Sequence, residues 1–266
     1  MEQTHRSWVE HIMGMPMSIH LRGPGASSEA AEVAVTMAYD ELRRADELFS
    51  TYRPESQVSR LNAGTLTLAD ADGDVRVVAE VCDVARDRTQ GAFDAHLPAP
   101  GGGTWFDPSG LVKTWAAERA FAHLATVELC DAYLGAAGDI VVHTQFSTPW
   151  RIGVEVPMQA NGDATDGSDD RLLDVIELSA GGIATSGTAR RGAHLVDPRT
   201  GAPADALLAA TVVGPSLMWA DVYATAACAY GDDAMGWLET LDGYDALVVF
   251  AGTGQVRRTR GWCSAR

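Results

Sequence analysis

The apolar residues of this chain switch repeatedly between the 3.6-residue period of a helix and the strict alternation of a half-buried strand. Between Ser28 and Phe49, Ala38, Leu42, Ala45 and Phe49 share one helical face. Ser28 is placed to cap its start, and Glu29 and Glu32 suit the positive end of the helix dipole. A second stripe, Val75, Val78, Cys82 and Ala85, runs between Asp74 and Gln90 and stops at Gly91. Residues 17–22 and 150–156 alternate apolar with polar or small neighbours instead. Further helices are predicted over 111–124, 217–230 and near 234–241. Strands are predicted over 132–142, 174–178, 182–185, 210–213, 246–251 and 255–258. Neither element type comes in blocks, so the pattern predicts a protein of mixed α and β structure.

The remaining segments read as connections. Residues 50–64 are polar and punctuated by Pro and Gly, 92–110 are rich in turn formers, and the acidic stretch 161–171 reads as a solvated hairpin loop. No internal repeat and no convincing linker is present, so residues 1–266 are expected to form a single domain. With 266 residues and 46% hydrophobic content, the chain can bury a sizeable core.

The formal net charge of -16 sets 36 acidic against 20 basic side chains. Such a surface repels phosphate backbones and anionic lipid, which argues against nucleic-acid and membrane-surface partners. An acidic protein that handles a phosphorylated ligand needs a cation between the two, so a metal is worth seeking. Cys82, Cys130, Cys228 and Cys263 form no CxxC pair and fit neither a zinc site nor a disulfide framework; Cys82 and Cys228 read as small buried hydrophobes. The first residues lack the basic start and apolar run of a signal peptide, and no stretch reaches membrane-spanning length, so a soluble, cytoplasmic chain is expected.

Three places could carry chemistry. Asp221 and Thr225 are four residues apart on a predicted Ala-rich helix, so they share a face. A hard cation would satisfy a carboxylate and a hydroxyl aimed into an apolar interior. An arginine partner for Asp221, with Thr225 bonded back to the carbonyl of Asp221, would satisfy them too, and spacing alone favours that arrangement. Asp107 to Lys113 (DPSGLVK) opens a helix whose first N–H groups could seat an anion, but by motif alone a capped helix with a solvent lysine is the better reading. The basic turn region 185–203 holds Arg190, Arg191, His194 and Arg199; His194 alone is more often structural than catalytic.

The order of the pieces says more than any one of them. MGMPM (13–17), STYRPESQVSRLN (50–62), AFD (92–94), DPSGLVKTWAAERA (107–120), GDI (138–140), WRIGVEVP (150–157), ATSG (184–187), HLVDPRTGAP (194–203) and ADVYATA (220–226) follow one another in a series that resembles the ApbE family of FAD:protein FMN transferases over nearly the whole chain. The resemblance implies an α+β fold, T-fold-like, with mainly antiparallel sheet and helices packed on its faces. It implies FAD as substrate and a magnesium ion on the pyrophosphate, held by Asp221, Thr225 and the carbonyl of Gly110. Asp107 and Lys113 would lie against the flavin or its phosphates, Met13 and Tyr52 near the cofactor, and Ala92, Phe93 and Asp94 along its path. Leu195 would touch FAD through its main chain, and His194 would help deprotonate a Thr or Ser hydroxyl of an acceptor flavoprotein. Departures are the short linker between AFD and DPSG, Thr114 where glycine is common, and Met15 and Met17 where Thr and an aromatic are common. An FAD pyrophosphatase and a non-catalytic FAD-binding protein remain the competing readings.

Overall fold

The computed structural model describes residues 4–99, 102–145, 148–157, 172–187 and 196–265. The chain opens on a hairpin of β1 (His5–Ile12) and β2 (Met15–Arg22), then α1 (Glu29–Phe49). Ser28 caps α1 as expected, its Oγ accepting from the N–H of Ala31 at 3.1 Å. The polar connection that follows contains a short helix, α2 (Gln57–Asn62), capped by Ser56, before α3 (Gly73–Arg88). The turn-rich stretch after Gly91 forms a small ribbon of β3 (His96–Pro98) and β4 (Thr104–Phe106), leading into α4 (Ser109–Leu124).

The single strand expected over 132–142 is two, β5 (Asp131–Ala136) and β6 (Asp139–His143), folded back on each other through Ala137 and Gly138. Both turn residues have positive φ, 53° and 103°, as a two-residue hairpin loop requires. Then come β7 (Trp150–Glu155), β8 (Leu172–Leu178), β9 (Ala180–Gly187), β10 (Leu207–Gly214), α5 (Leu217–Tyr230), α6 (Ala234–Leu238), β11 (Asp245–Phe250) and β12 (Val256–Arg258). Residues 158–171, including the acidic stretch read as a loop, lie outside the described residues.

Among the described residues, eight strands form one open sheet in the order β1-β2-β5-β6-β9-β10-β11-β12, every neighbouring pair antiparallel. The mainly antiparallel α+β architecture is therefore as expected. Met17, Ile19, Leu21, Leu134, Val212 and Val248 on one face of the sheet pack with the apolar stripes of α1, α4 and α5 in the main core. The β7–β8 ribbon covers part of the opposite face, where Ile152, Val154 and Ile176 meet Val142, Ile183, Leu247 and Val249. Burial of this extent, at roughly 25 cal/mol per Å² of apolar surface, is the dominant stabilising contribution. Cys82 and Cys228 are core residues, each 1% exposed.

Register brings several chain reversals to one end of the sheet. Met17 pairs with Ala136, Ala136 with Asp139, and the N–H of Ala137 reaches the carbonyl of Pro16 at 3.3 Å. The turns at Met13–Gly14 and Ala137–Gly138 therefore lie side by side, next to the C-terminal end of β9.

Candidate functional site

At that end of the sheet α4 and α5, both packed on the same sheet face, bring together charged groups far apart in sequence. Asp221 lies in the first half of α5 and is 3% exposed; Asp139, the first residue of β6, is 2% exposed. The ammonium of Lys113, one turn into α4, forms ion pairs with the Oδ2 atoms of both, at 3.3 Å to Asp221 and closer to Asp139. The hydroxyl of Thr114 donates to Asp221 Oδ2 at 3.1 Å. The N–H of Thr185 in β9 donates to Asp139 Oδ1 at 3.0 Å.

The electrostatics follow from burial. Loss of water pushes the Asp221 carboxyl up to about 6; Lys113 opposes this, Asp139 reinforces it, and the Thr114 and Lys113 hydrogen bonds oppose it. Burial alone would pull Lys113 down, but the neighbouring Asp221 and Asp139 outweigh it and hold the ammonium above its ordinary range. Two carboxylates against one ammonium leave the cluster with one net negative charge. Asp139 Oδ2 is buried and has no hydrogen bond of proper geometry, and Asp221 Oδ1 accepts none among the described residues.

Thr225, one turn after Asp221 and half-buried, does not bond back to its own helix. Its Oγ1 lies 2.8 Å from Ser186 Oγ in β9. The arrangement favoured by spacing alone is thus corrected at both positions: the partner of Asp221 is a lysine, and that of Thr225 is a strand serine. Asp107, just before the Pro108 N-cap of α4, accepts the N–H of Ser109 at 3.0 Å, while its own N–H donates to the carbonyl of Ala95 at 2.8 Å. Gly110 is in the exposed first turn of α4, against the ring of Phe93; a Cβ there would lie 3.3 Å from Phe93 Cε2. Ala92 and Phe93 are 1% and 5% exposed. Asp94 caps the next turn, accepting from the N–H of His96 at 2.8 Å, and pairs with Arg86 at 3.2 Å.

The sites expected from the sequence fall into three groups. Lys113, Asp221, Thr225, Gly110, Phe93, Ala92, Asp94 and Asp107 lie on or beside α4 and α5, and Met13, with φ of 55°, occupies the hairpin turn at the same end of the sheet. Tyr52 is 94% exposed, on the connection between α1 and α2. His194 and Leu195 lie outside the described residues, as do Arg190 and Arg191. The loop just beyond them is anchored. Arg199 holds Asp197 in a two-pronged pair at 2.8 and 3.1 Å, caps the carbonyl of Ala229 at 3.0 Å, and lies 4.5 Å over the ring of Tyr230. Sequence reading missed Asp139, Thr114 and Ser186 as members of the site. Asp139 stood in a three-residue turn motif with no chemistry of its own, and only the tertiary pairing reveals its role.

Fold and site together define a class: an α+β protein with an open antiparallel sheet and a buried carboxylate–lysine centre between two face-packed helices and a strand end. The ApbE family model matches residues 13–99 and 95–248, and the chain belongs to the ApbE family. Over 139 residues it is 29% identical to an FAD:protein FMN transferase of Rhodobacter capsulatus, a match covering 48% of this chain and 24% of that relative's length. Among solved structures, the ApbE protein of Thermotoga maritima superposes with a TM-score of 0.78 at 21% identity, covering 97% of each chain. The flavin transferase ApbE of Vibrio cholerae gives 0.75 at 22% identity, over 97% of this chain and 96% of that one. The flavinyl transferase ApbE of Pseudomonas stutzeri gives 0.79 at 21%, over 97% and 95%. At these identities the likeness establishes the fold. Among the described residues no helix is long and apolar enough to cross a membrane.

Proposed function

We propose that residues 1–266 act as one magnesium-dependent unit that transfers FMN from FAD to a Thr or Ser hydroxyl of an acceptor protein. Family membership supports the reaction class, and the buried Asp139–Lys113–Asp221 cluster carries the reading at the level of residues. A divalent cation fits this donor set, because the cluster has one net negative charge and Asp221 Oδ1 accepts no hydrogen bond among the described residues. Among the described residues no three His, Cys, Asp or Glu side chains converge on one point. A hard cation here would take Asp221 and Thr225 as ligands, with the Gly110 carbonyl, and complete its shell from the nucleotide phosphates. Either hydroxyl of the Thr225–Ser186 pair can donate, and with Thr225 as donor its lone pairs stay open to a cation.

Magnesium would neutralise negative charge on the pyrophosphate as it is cleaved. The acceptor oxygen attacks the FMN phosphorus, the hydroxyl proton passes to a base, and the bond to AMP breaks with its electron pair leaving on AMP. Lys113 would hold a positive charge beside the reacting phosphates, and Asp107, Ala92, Phe93 and Asp94 would border the path of the nucleotide beside α4. Met13 and Tyr52 would border the flavin nucleotide, Leu195 would contact it through its main chain, and His194 would take the proton. A positioned base of this kind contributes about 10²- to 10⁴-fold.

The test is incubation with FAD, magnesium and a candidate acceptor flavoprotein, followed by mass spectrometry of the acceptor. The expected result is one added FMN phosphate on a Thr or Ser. AMP release at the same rate with no acceptor present would instead assign the chain to FAD hydrolysis.

A further inference from the structure

The two carboxylate oxygens of Asp221 have unequal surroundings. Oδ2 is taken twice, by the Thr114 hydroxyl at 3.1 Å and by the Lys113 ammonium at 3.3 Å, whereas Oδ1 accepts no hydrogen bond among the described residues. The two donors are neighbours on α4, so one short stretch of helix grips one edge of the carboxylate. Thr114 is 0% exposed, so its hydroxyl cannot be serving water.

That hydroxyl has one proton and two acceptors in reach, Asp221 Oδ2 and the carbonyl of Leu111 at 3.2 Å in its own helix. Back-bonding to the preceding turn is open to any helical threonine. An ionised carboxylate is the stronger acceptor, because charge-assisted hydrogen bonds are roughly twice as strong as neutral ones. The outer torsion of an aspartate is broad and nearly two-fold, so an ungripped carboxylate would tilt or exchange its oxygens freely.

We propose that Thr114 is a positioning residue that, together with Lys113, occupies Oδ2 of Asp221 and so presents Oδ1 to the cation of the nucleotide site. This rests on Asp221 being a metal ligand, as argued above. Thr114 touches neither metal nor substrate; it acts through the orientation of Asp221. Groups that hydrogen-bond a metal-ligating side chain typically change metal affinity about 10- to 100-fold. Because Lys113 shares the grip, the effect of Thr114 alone falls at the lower end of that range.

Two substitutions separate positioning from packing. Thr114→Val keeps the size and branching of the side chain and removes the hydroxyl, while Thr114→Ser keeps the hydroxyl and removes a methyl. Flavin fluorescence during a magnesium titration in the presence of FAD gives the half-saturating magnesium concentration, and a urea unfolding curve in metal-free buffer gives stability. Thr114→Val is expected to raise the magnesium midpoint about tenfold, with Thr114→Ser close to the wild type. A packing role predicts the opposite split, in which the unfolding midpoints move and the magnesium midpoint stays. A wild-type magnesium midpoint in Thr114→Val, or equal loss in Thr114→Ser, overturns the inference while the site reading survives. If wild-type FAD binding is indifferent to magnesium and to Asp221→Ala, both the ligand role of Asp221 and the inference fall.

Discussion

Leu217, the first residue of α5, rests directly on Gly182 of β9. A Cβ built on Gly182 would lie 2.5 Å from the Leu217 Cα and Cβ and 2.7 Å from its nitrogen. The start of α5 is thus seated on bare strand backbone, one turn before Asp221. Glu118 of α4 secures the same point by accepting the N–H of Leu217. Because the obstruction is backbone, it cannot swing aside. Gly182→Ala is expected to destabilise the protein by about 2–4 kcal/mol, the upper range for forced overpacking and displaced helix contacts. Urea unfolding measures this, and a loss under about 0.5 kcal/mol would mean that α5 tolerates a shift away from the sheet.

Among the described residues Lys113 is the sole cation paired with either Asp139 or Asp221. Its removal leaves two buried carboxylates facing each other without compensation. Lys113→Met should lower stability by about 3–5 kcal/mol, the usual effect of stripping one partner from a buried ion pair. Adding Asp139→Asn should restore a sizeable part of that loss by deleting one of the stranded charges. If the double variant is as unstable as the single one, the lysine stem matters for packing more than its charge does.

Much of this architecture was legible from local pattern, because α1 and α3 each carry a sustained apolar stripe behind a capping residue, and α5 is apolar on nearly every face. Ser28 fell where α1 begins, whereas α3 ends at Arg88, three residues short of the expected stop at Gly91. The pattern was silent on β1, whose outward positions His5, Ser7, Val9 and His11 and inward Arg6 and Glu10 lack a clean alternation of apolar and polar; it is an edge strand, held on one side only. It also merged β5 with β6. Both are central strands, apolar on both faces, so the run reads as continuous and only Gly138 hints at the reversal. Within the site, Asp221 and Thr225 were visible because they lie on one helix. Thr114 and Asp221 are 107 positions apart, and Ser186 and Thr225 are 39 apart. Such pairings depend on strand order and helix crossing, which no local period encodes.

Arg199 ties the 196–203 loop to the end of α5 through Asp197, the Ala229 carbonyl and the Tyr230 ring. It holds the Asp197 carboxyl below its usual range, first by its own hydrogen bonds to it, against the opposing effect of burial. A planar fork stacked on an aromatic ring is not reproduced by an ammonium. Arg199→Ala should cost about 1–3 kcal/mol, with Arg199→Lys recovering less than half. The local readout is amide exchange at Gly201, whose N–H bonds the Asp197 carbonyl at 2.8 Å; it should speed up more than exchange in the central strands. Uniform acceleration across the sheet would count against a local anchoring role.

The raised Asp221 carboxyl makes stability and metal binding respond to pH in opposite directions. Burial lifts it to about 6 in the folded chain, from an ordinary value near 3.8. Between those values the folded state holds more protons than the unfolded one, so metal-free stability falls as pH rises through the window and levels off above it. The full difference amounts to on the order of 3 kcal/mol. Asp221→Asn carries no titrating group there, so subtracting its unfolding free energy from that of the wild type isolates the slope from other buried acids such as Glu118, which burial also raises. Ligation needs the ionised carboxylate, so wild-type magnesium affinity should rise across the same window while metal-free stability drops. Parallel urea curves at pH 4 to 7, with magnesium titrations in FAD, read both trends. A wild-type minus Asp221→Asn difference that is flat with pH would show that the carboxyl titrates near its ordinary value and that the cluster stabilises its charge as much as burial penalises it.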